Sequence, residues 1–357
     1  MTALLDATAP VREGETLDQA ALESYLMENL PDLKGALRIE QFPSGHSNLT
    51  YLLRVGDRDL VLRRPPFGSK VKSAHDMGRE FTVLSALHPI YPPAPKPLLY
   101  CEDESVIGAK FYVMERIQGV ILRARAPKGW VASSQDAREI CLSFVSNLVR
   151  MHNLDWESAG LGKMRREGQY TDRQVRGWVE RYAGSRTDDI PDIESVSGWL
   201  LERIPPDSGA ALIHNDYKFD NIVLDPTDLS RIVGVLDWEM TTIGDPLMDL
   251  GTTLGYWAEP EDAEDLKVVQ CFLTTLPGSL SRMEVAREYE RLSGRKLGDL
   301  TFYYVFALLK LAVIVQQIYY RYVQGLTRDA RFATMIEMVR TLGRKAAGVI
   351  ETGRIGR

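Results

Sequence analysis

The feature that most constrains the fold is a change of hydrophobic period along the chain. Residues 37–42 (LRIEQF), 49–55 (LTYLLRV) and 59–63 (DLVLR) are short runs of strand character, and Gly56-Asp57 between the last two reads as a hairpin turn. Two further runs, 97–101 and 110–116, close a small antiparallel sheet. Between them, 74–88 places Phe81, Leu84 and Leu87 at helical spacing and predicts one helix, which the prolines of 89–97 terminate. A leading amphipathic helix is expected over 17–30, with Leu22, Tyr25, Leu26 and Leu30 on one face. After about residue 118 the pattern is mainly helical, over 134–152, 171–184, 193–203, 262–275, 281–293, 300–324 and 329–351. The exception is 211–237, which reads as short strands and a loop. These periods predict an α+β chain of two lobes. Residues 1–117 form a small antiparallel sheet lobe and 118–357 a mainly helical one, with the boundary inside 115–120.

Composition narrows the classes of partner. A length of 357 residues suits two domains. Lys and Arg total 43 against 49 Asp and Glu, a net charge of −6, which argues against a nucleic-acid binder. Cys101, Cys141 and Cys271 form neither a CxxC pair nor an even-numbered disulfide framework, so a reducing cytoplasm is expected. The N-terminal MTALLDATAPVREGE lacks the basic and apolar regions of a signal peptide. Lys310, Gln316, Gln317 and Arg321 interrupt the apolar stretch 301–323, so it is expected as a central helix of the helical lobe and no membrane span is read. No motif sets an oligomeric state.

The densest chemical signal is His214-Asn215-Asp216-Tyr217-Lys218-Phe219-Asp220-Asn221, followed by the apolar run Ile222-Val223-Leu224. It repeats the H-x-D-x-K-x-x-N spacing of the kinase catalytic loop. Phosphoryl transfer needs a carboxylate to orient the attacking hydroxyl and accept its proton, and an oxygen ligand for Mg²⁺. Asp216 suits the first role and Asn221 the second, with Lys218 placed to steady the transferring group. Val235-Leu236-Asp237-Trp238-Glu239 then puts an Asp at the end of an apolar strand, where a kinase keeps its second magnesium ligand. Asp237 and Asn221 together offer the oxygen donors that Mg²⁺ prefers. Glu239 reads as an outer hydrogen-bond acceptor.

HNDYKFDN, then LDWEMTTIGDPLMDLG, resembles the aminoglycoside phosphotransferase family of small-molecule kinases. The front of the chain is similar too, and SGHSNLTYLL, VLRRPP and HDMGRE resemble the subgroup found fused to some acyl-CoA dehydrogenases. The resemblance implies a two-lobed protein-kinase-like fold with ATP, or GTP, held in its cleft. It implies that Ser44, Gly45, His46, Ser47 and Asn48 form the nucleotide loop and that the backbone of Glu115–Ile117 meets the adenine edge. Arg63 stands where the family keeps a phosphate-gripping Lys, and Glu80 matches that cation's acidic partner. Arg binds phosphate oxygens as a fork, with a reach different from that of an ammonium. The loop also has the single glycine Gly45 where a G-x-G-x-x-G is usual. Asp245 and Asp249, in the GDPLMDL segment, are expected to hold the catalytic loop or cap the following helix.

Asp237 and Asp249 stand too close for an extended activation loop, and no A-P-E element follows, which disfavours a protein kinase. The reading is an ATP-dependent phosphotransferase, using Mg²⁺, that acts on a hydroxyl of a small molecule, either aminoglycoside-like or a hydroxylated metabolite such as an acyl compound. The alternatives are a regulatory nucleotide-binding pseudokinase, suggested by Arg63 and the glycine-poor loop, and a metal-dependent hydrolase using Asp216, Asp237, Asp245 and Asp249. The acidic runs 187–194 and 259–265 read as solvated faces rather than as attractors of a polycation. His152 reads as a core or capping residue, and His214 as one that packs under the catalytic loop.

Overall fold

Alternating apolar residues in the first third of the chain pair into one antiparallel sheet. The computed structural model describes residues 6–43, 48–67, 76–126, 130–267, 270–327 and 329–356. Its strands are β1 (Leu37–Gln41), β2 (Leu49–Val55), β3 (Arg58–Arg64), β4 (Pro97–Cys101) and β5 (Phe111–Glu115), in the order β1-β2-β3-β5-β4. The β2–β3 hairpin turns at Gly56, whose φ of 60° and approach to the Lys34 carbonyl leave no room for a side chain. Helix α1 (Gln19–Asn29) starts at Asp18, whose carboxylate accepts the Ala21 amide at 3.0 Å. Its Leu22 and Leu26 join Tyr51, Leu53, Leu60, Leu62, Phe111 and Val113 in one buried core. Helix α2 (Met77–Leu87) crosses between β3 and β4 in sequence, and buries Glu80 beside Val83 and Leu84.

Two later segments belong with this first unit, which runs to Ile121 and takes in Ile222–Asp228 and Ile232–Met240. The continuous division expected near 117/118 differs from this, and backbone pairing is the reason. Strands β7 (Ile222–Leu224) and β8 (Ile232–Val235) pair with each other. Val120 and Leu224 exchange backbone hydrogen bonds of 2.9 and 2.8 Å, and the Val235 amide donates to Pro93 O at 2.8 Å. A side chain at Gly119 would lie 2.4 Å from Leu224 O, so glycine alone permits that approach.

The second unit is helical. It contains α3 (Ser134–His152), α4 (Tyr170–Ser185), α5 (Pro191–Glu202), the pair β6 (Ala211–Ile213) and β9 (Thr242–Gly244), then α6 (Pro246–Gly255), α7 (Glu264–Lys267), α8 (Arg282–Ser293), α9 (Thr301–Val323) and α10 (Met335–Thr352). A capping box between Ser133 and Asp136 starts α3, and a second between Ser281 and Glu284 starts α8. Helix α9 packs against α4, α5, α6 and α10. It is long and apolar enough to cross a membrane by length and composition, yet 72% of its most apolar window is buried inside the protein, as in a core helix. Two residues expected to interrupt it, Lys310 and Gln316, are themselves buried.

The helix expected over 262–275 is not continuous. The described part consists of α7 and a 3₁₀ turn at Phe272–Thr275. There the hydroxyls of Thr274 and Thr275 bond back to the carbonyls of Cys271 and Phe272, competing with the helical ladder. The helix expected from 329 begins at Met335, because Asp329 caps a separate 3₁₀ turn, Ala330–Phe332.

Gly251 lets α6 lie directly on α9, since a Cβ there would sit 2.6 Å from the Tyr303 carbonyl oxygen. Gly251→Ala gains about 1 kcal/mol of helix propensity, but forced backbone separation costs more, roughly 1–3 kcal/mol beyond that gain. The variant is expected to melt at a lower temperature than the wild type. Calorimetric melting at or above the wild-type temperature would contradict this contact.

Candidate active site

The H-x-D segment leaves β6 at Ile213 and is shaped by one face of α6. Asp245 caps that helix, accepting the Leu247 amide at 2.7 Å, and also accepts the Ser208 amide at 2.7 Å. One turn on, the fully buried Asp249 accepts the amides of His214 (2.8 Å) and Asn215 (2.7 Å). His152 places one ring nitrogen 3.0 Å from the same carboxylate and the other 2.7 Å from the Tyr289 hydroxyl. Thr253 donates to Tyr217 O at 3.1 Å, and Tyr256 to the Asp216 carboxylate at 2.7 Å. Residues 249, 253 and 256 recur at i, i+4 and i+7, so a single helical face holds the loop. The roles expected for Asp245 and Asp249 agree with this geometry. Their oxygens accept from loop and helix donors, which is the structural role expected of them rather than the open carboxylate set that the hydrolase alternative requires. Among the described residues no group of three or more His, Cys, Asp or Glu side chains could hold a metal ion.

Asn215 adopts a left-handed conformation, φ 65°. Its side-chain oxygen accepts the Tyr170 hydroxyl at 3.0 Å and its carbonyl accepts Lys310 Nζ at 2.8 Å. Asp216 follows with both carboxylate oxygens engaged. Lys218 Nζ lies 3.0 Å from Oδ1 and 2.9 Å from Oδ2, and Asn221 Nδ2 donates to Oδ2 at 2.9 Å. Burial pushes the Asp216 carboxyl up, but the Lys218 ammonium and the Tyr256 hydrogen bond outweigh it and hold the group below the usual aspartate range. Lys218 is correspondingly held charged: burial acts downward, and Tyr256 and Asp216 more than offset it. The Asn221 amide nitrogen donates twice to Asp216, to O and to Oδ2. The Asn221 side chain therefore presents its Oδ1 as a hard oxygen donor.

The other expected site residues lie in the first unit. Arg63, on β3, places Nη2 2.8 Å from Asp237 Oδ1 and 4.0 Å from Glu239 Oε2, and Nε 3.4 Å from Glu80 Oε2. Tyr112 stands opposite Arg63 in the β3–β5 register. Burial acts to lower the Arg63 pKa, but Glu80, Tyr112 and Asp237 raise it, so the guanidinium stays charged. Asp237 is also left-handed, φ 68°, and its side chain remains 28% exposed, with Oδ2 not engaged by Arg63. Trp238 then turns inward and donates to Val235 O at 2.8 Å. Asn48 donates to the Glu239 carboxylate at 2.7 Å, while Arg79 bonds the Glu239 carbonyl. Glu115 ends β5 half-exposed, its amide donating to Lys96 O at 2.9 Å. Ile117 packs over Gly234. Ser44, Gly45, His46 and Ser47 lie outside the described residues.

Tyr256, Tyr170, Tyr112 and Lys310 escaped the sequence reading. Only Lys310 carried a signal, a lone cation within an apolar helical run. A further feature of the second unit is a concavity of about 240 Å³ lined by Arg165, Arg166, Arg173, Tyr170, Asp207 and Gly244. Tyr170 connects it to the H-x-D segment through Asn215. The concavity's three arginines outnumber its one carboxylate, Asp207, which accepts the amides of Tyr170 and Thr171.

Comparison with known proteins places this geometry. The profile of the family described as "Phosphotransferase enzyme family" matches residues 38–278. Acyl-CoA dehydrogenase family member 11 of Gallus gallus is 36% identical over 348 residues, covering 95% of this chain and 44% of that protein. The chain thus spans less than half the length of that relative. A crystal structure from Ralstonia eutropha JMP134, assigned to the aminoglycoside phosphotransferases, superposes with a TM-score of 0.79 at 30% identity, over 96% of this chain and 100% of that one. A thermostable mutant of aminoglycoside phosphotransferase APH(4)-Ia, in ternary complex with AMP-PNP and hygromycin B, shares the fold with a TM-score of 0.59 at 16% identity, over 92% of this chain and 98% of that one. The fold is kinase-like.

The buried Asp249 carboxyl titrates below the ordinary aspartate value of 3.8, because the His152 hydrogen bond and the His152 and His214 charges outweigh the upward push of burial. A depressed folded pKa contributes stability that is present above 3.8 and disappears as pH falls through the folded value. Asp249→Asn is expected to cost about 2–3 kcal/mol at neutral pH, and to flatten the acid limb of stability below about pH 4. Urea melts across pH check both effects. An acid limb as steep in the variant as in the wild type would contradict them.

Proposed function

We propose that this chain, which belongs to the phosphotransferase enzyme family, transfers the terminal phosphoryl group of ATP or GTP to a hydroxyl of a negatively charged small molecule. The observation that carries the reading is the Asp216 carboxylate. It is kept ionised and held by Lys218, Tyr256 and Asn221, beside an Asn221 whose amide nitrogen is committed to it. Asp216 orients the acceptor hydroxyl and takes its proton, and Lys218 faces the charge that develops on the phosphoryl oxygens. Arg63, kept charged by Glu80, steadies the nucleotide phosphates. Asn221 Oδ1 in the second unit and the Asp237 carboxylate in the first are each the hard oxygen donor that Mg²⁺ takes, and the metal when bound would supply neutralising charge to the phosphates. Most of the acceleration is positional and electrostatic, with no covalent intermediate on the protein.

Charge argues for the acceptor class. Several carboxylates of the two acidic runs are paired within the protein: Asp188 with Arg340, Asp189 and Glu194 with Arg186, and Glu259 and Asp262 with Arg282. The concavity next to the catalytic loop is instead arginine-lined. A hydroxylated acyl thioester of coenzyme A carries the matching phosphates, and the matched relative is named for acyl-CoA chemistry. The free, buried cysteines accord with work in a reducing cytoplasm. One observation favours a second reading, a regulatory nucleotide-binding role: the Arg63 guanidinium already occupies one oxygen of Asp237.

An ATP-consumption screen over hydroxyacyl thioesters, hydroxy acids, sugars, amino alcohols and aminoglycosides separates the readings. Turnover is expected with the anionic hydroxy compounds; nucleotide binding without transfer to any of them would support the regulatory reading. Asp216→Ala is expected to lower turnover by about 10²–10⁴-fold while leaving nucleotide affinity nearly unchanged. Asp237→Ala is expected to abolish the Mg²⁺-dependent part of nucleotide binding in calorimetry. Wild-type turnover in the first variant, or metal-dependent binding preserved in the second, would remove that residue from its role.

A further inference from the structure

Lys310 is a cation in the middle of α9, 3% exposed and surrounded by apolar helix. A methionine or leucine of similar length would fill the same space without the cost of desolvating an ammonium. Among the described residues no carboxylate lies within ion-pair distance of it, and its one hydrogen bond runs to the carbonyl of Asn215, at 2.8 Å. Its Nζ also sits 5.8 Å from the centre of the Trp178 ring. The charged groups that face it are Asp216 on the loop, Asp249 on α6, Lys218, and Arg181 on α4.

The bonded carbonyl belongs to the peptide unit that joins Asn215 to Asp216. The N–H of that same unit, on Asp216, points to His214 Nδ1 at 3.3 Å. The plane is thus held from both ends, immediately after a residue in the left-handed region at φ 65°. Rotation of this plane would swing the Asp216 carboxylate away from its present direction.

We propose that Lys310 is a positioning residue of the phosphoryl-transfer site, clamping the Asn215–Asp216 peptide so that the Asp216 carboxylate faces the acceptor hydroxyl. The inference rests on the function proposed above and names a group outside the H-x-D-x-K-x-x-N motif. Lys310 touches neither acceptor nor nucleotide in this role; it acts through Asn215. Burial pushes its ammonium down to about 8, against the upward pull of Asp216 and Asp249. Raising the pH through that value therefore removes the charge and weakens the clamp.

The test measures basal hydrolysis of Mg·ATP, with water as acceptor, across pH 6–10 for the wild type, Lys310→Met, Lys310→Gln and Asp216→Ala. Lys310→Met is expected to lower kcat by ~10- to 100-fold with KM for ATP little changed, and to melt no lower than the wild type because a buried charge is gone. Lys310→Gln keeps a neutral donor, so it is expected to recover part of kcat and to lack the fall in rate that the wild type shows above about pH 8. A folded Met variant with wild-type kcat and pH profile would overturn the proposal. Should Met not fold, a Gln variant that retains the wild-type alkaline limb would overturn it equally. Failure of the parent reading has a different signature: wild-type hydrolysis that is absent, or is unaffected by Asp216→Ala.

Discussion

The second unit is organised around one buried carboxylate. Asp249 has no access to water and is surrounded by donors: the amides of His214 and Asn215 and a ring nitrogen of His152. An ionised group in such a position is stable only while those donors stay in place. The loop is therefore tied to the helix that carries Asp249. The dependence extends outward, because Tyr289 orients His152 and Gly251 brings the helix bearing Asp249 against Tyr303. Tyr289, His152 and Gly251 thus bear on Asp216 through the loop that Asp249 holds.

Strained backbone marks both functional clusters. Asn215 and Asp237 are the non-glycine residues with positive φ among the described residues, and each lies beside or at a proposed catalytic or metal-binding position. Left-handed geometry costs an ordinary residue about 1–2 kcal/mol, less for Asn and Asp, whose short polar side chains bond locally. At Asn215 the surroundings over-determine the conformation, with Asp249 on the amide, Tyr170 on the side chain and Lys310 on the carbonyl. At Asp237 the Arg63 guanidinium on one side and the inward turn of Trp238 on the other play the same part. Such strain persists only where the fold supplies compensating contacts.

The sheet and the H-x-D-x-K-x-x-N loop were legible in the sequence because both are local patterns. Alternation over 49–55 and 59–63 specifies a hairpin, and the spacing from His214 to Asn221 brings Lys218 and Asn221 onto Asp216. What was not legible depends on partners distant in sequence. Nothing local announces that 222–228 and 232–240 rejoin the first unit, since Gly119 matters only through its approach to Leu224. Tyr256 is an ordinary helix-end tyrosine until Asp216 lies beneath it. Lys310 looked like a break in an apolar run, whereas it is buried in that run and bonded to the loop. The continuous helix read over 262–275 failed because threonine hydroxyls compete locally for backbone carbonyls, a preference that hydrophobic period does not record.

The central claim is that a phosphoryl group passes intact from nucleotide to the hydroxyl of a small molecule. Phosphorus NMR of the purified protein with Mg·ATP and a hydroxyacyl thioester observes that event directly. The account predicts a phosphomonoester resonance on the acceptor that grows one-for-one with ADP. ADP accompanied only by inorganic phosphate, or no nucleotide turnover with any hydroxylated acceptor, would contradict it.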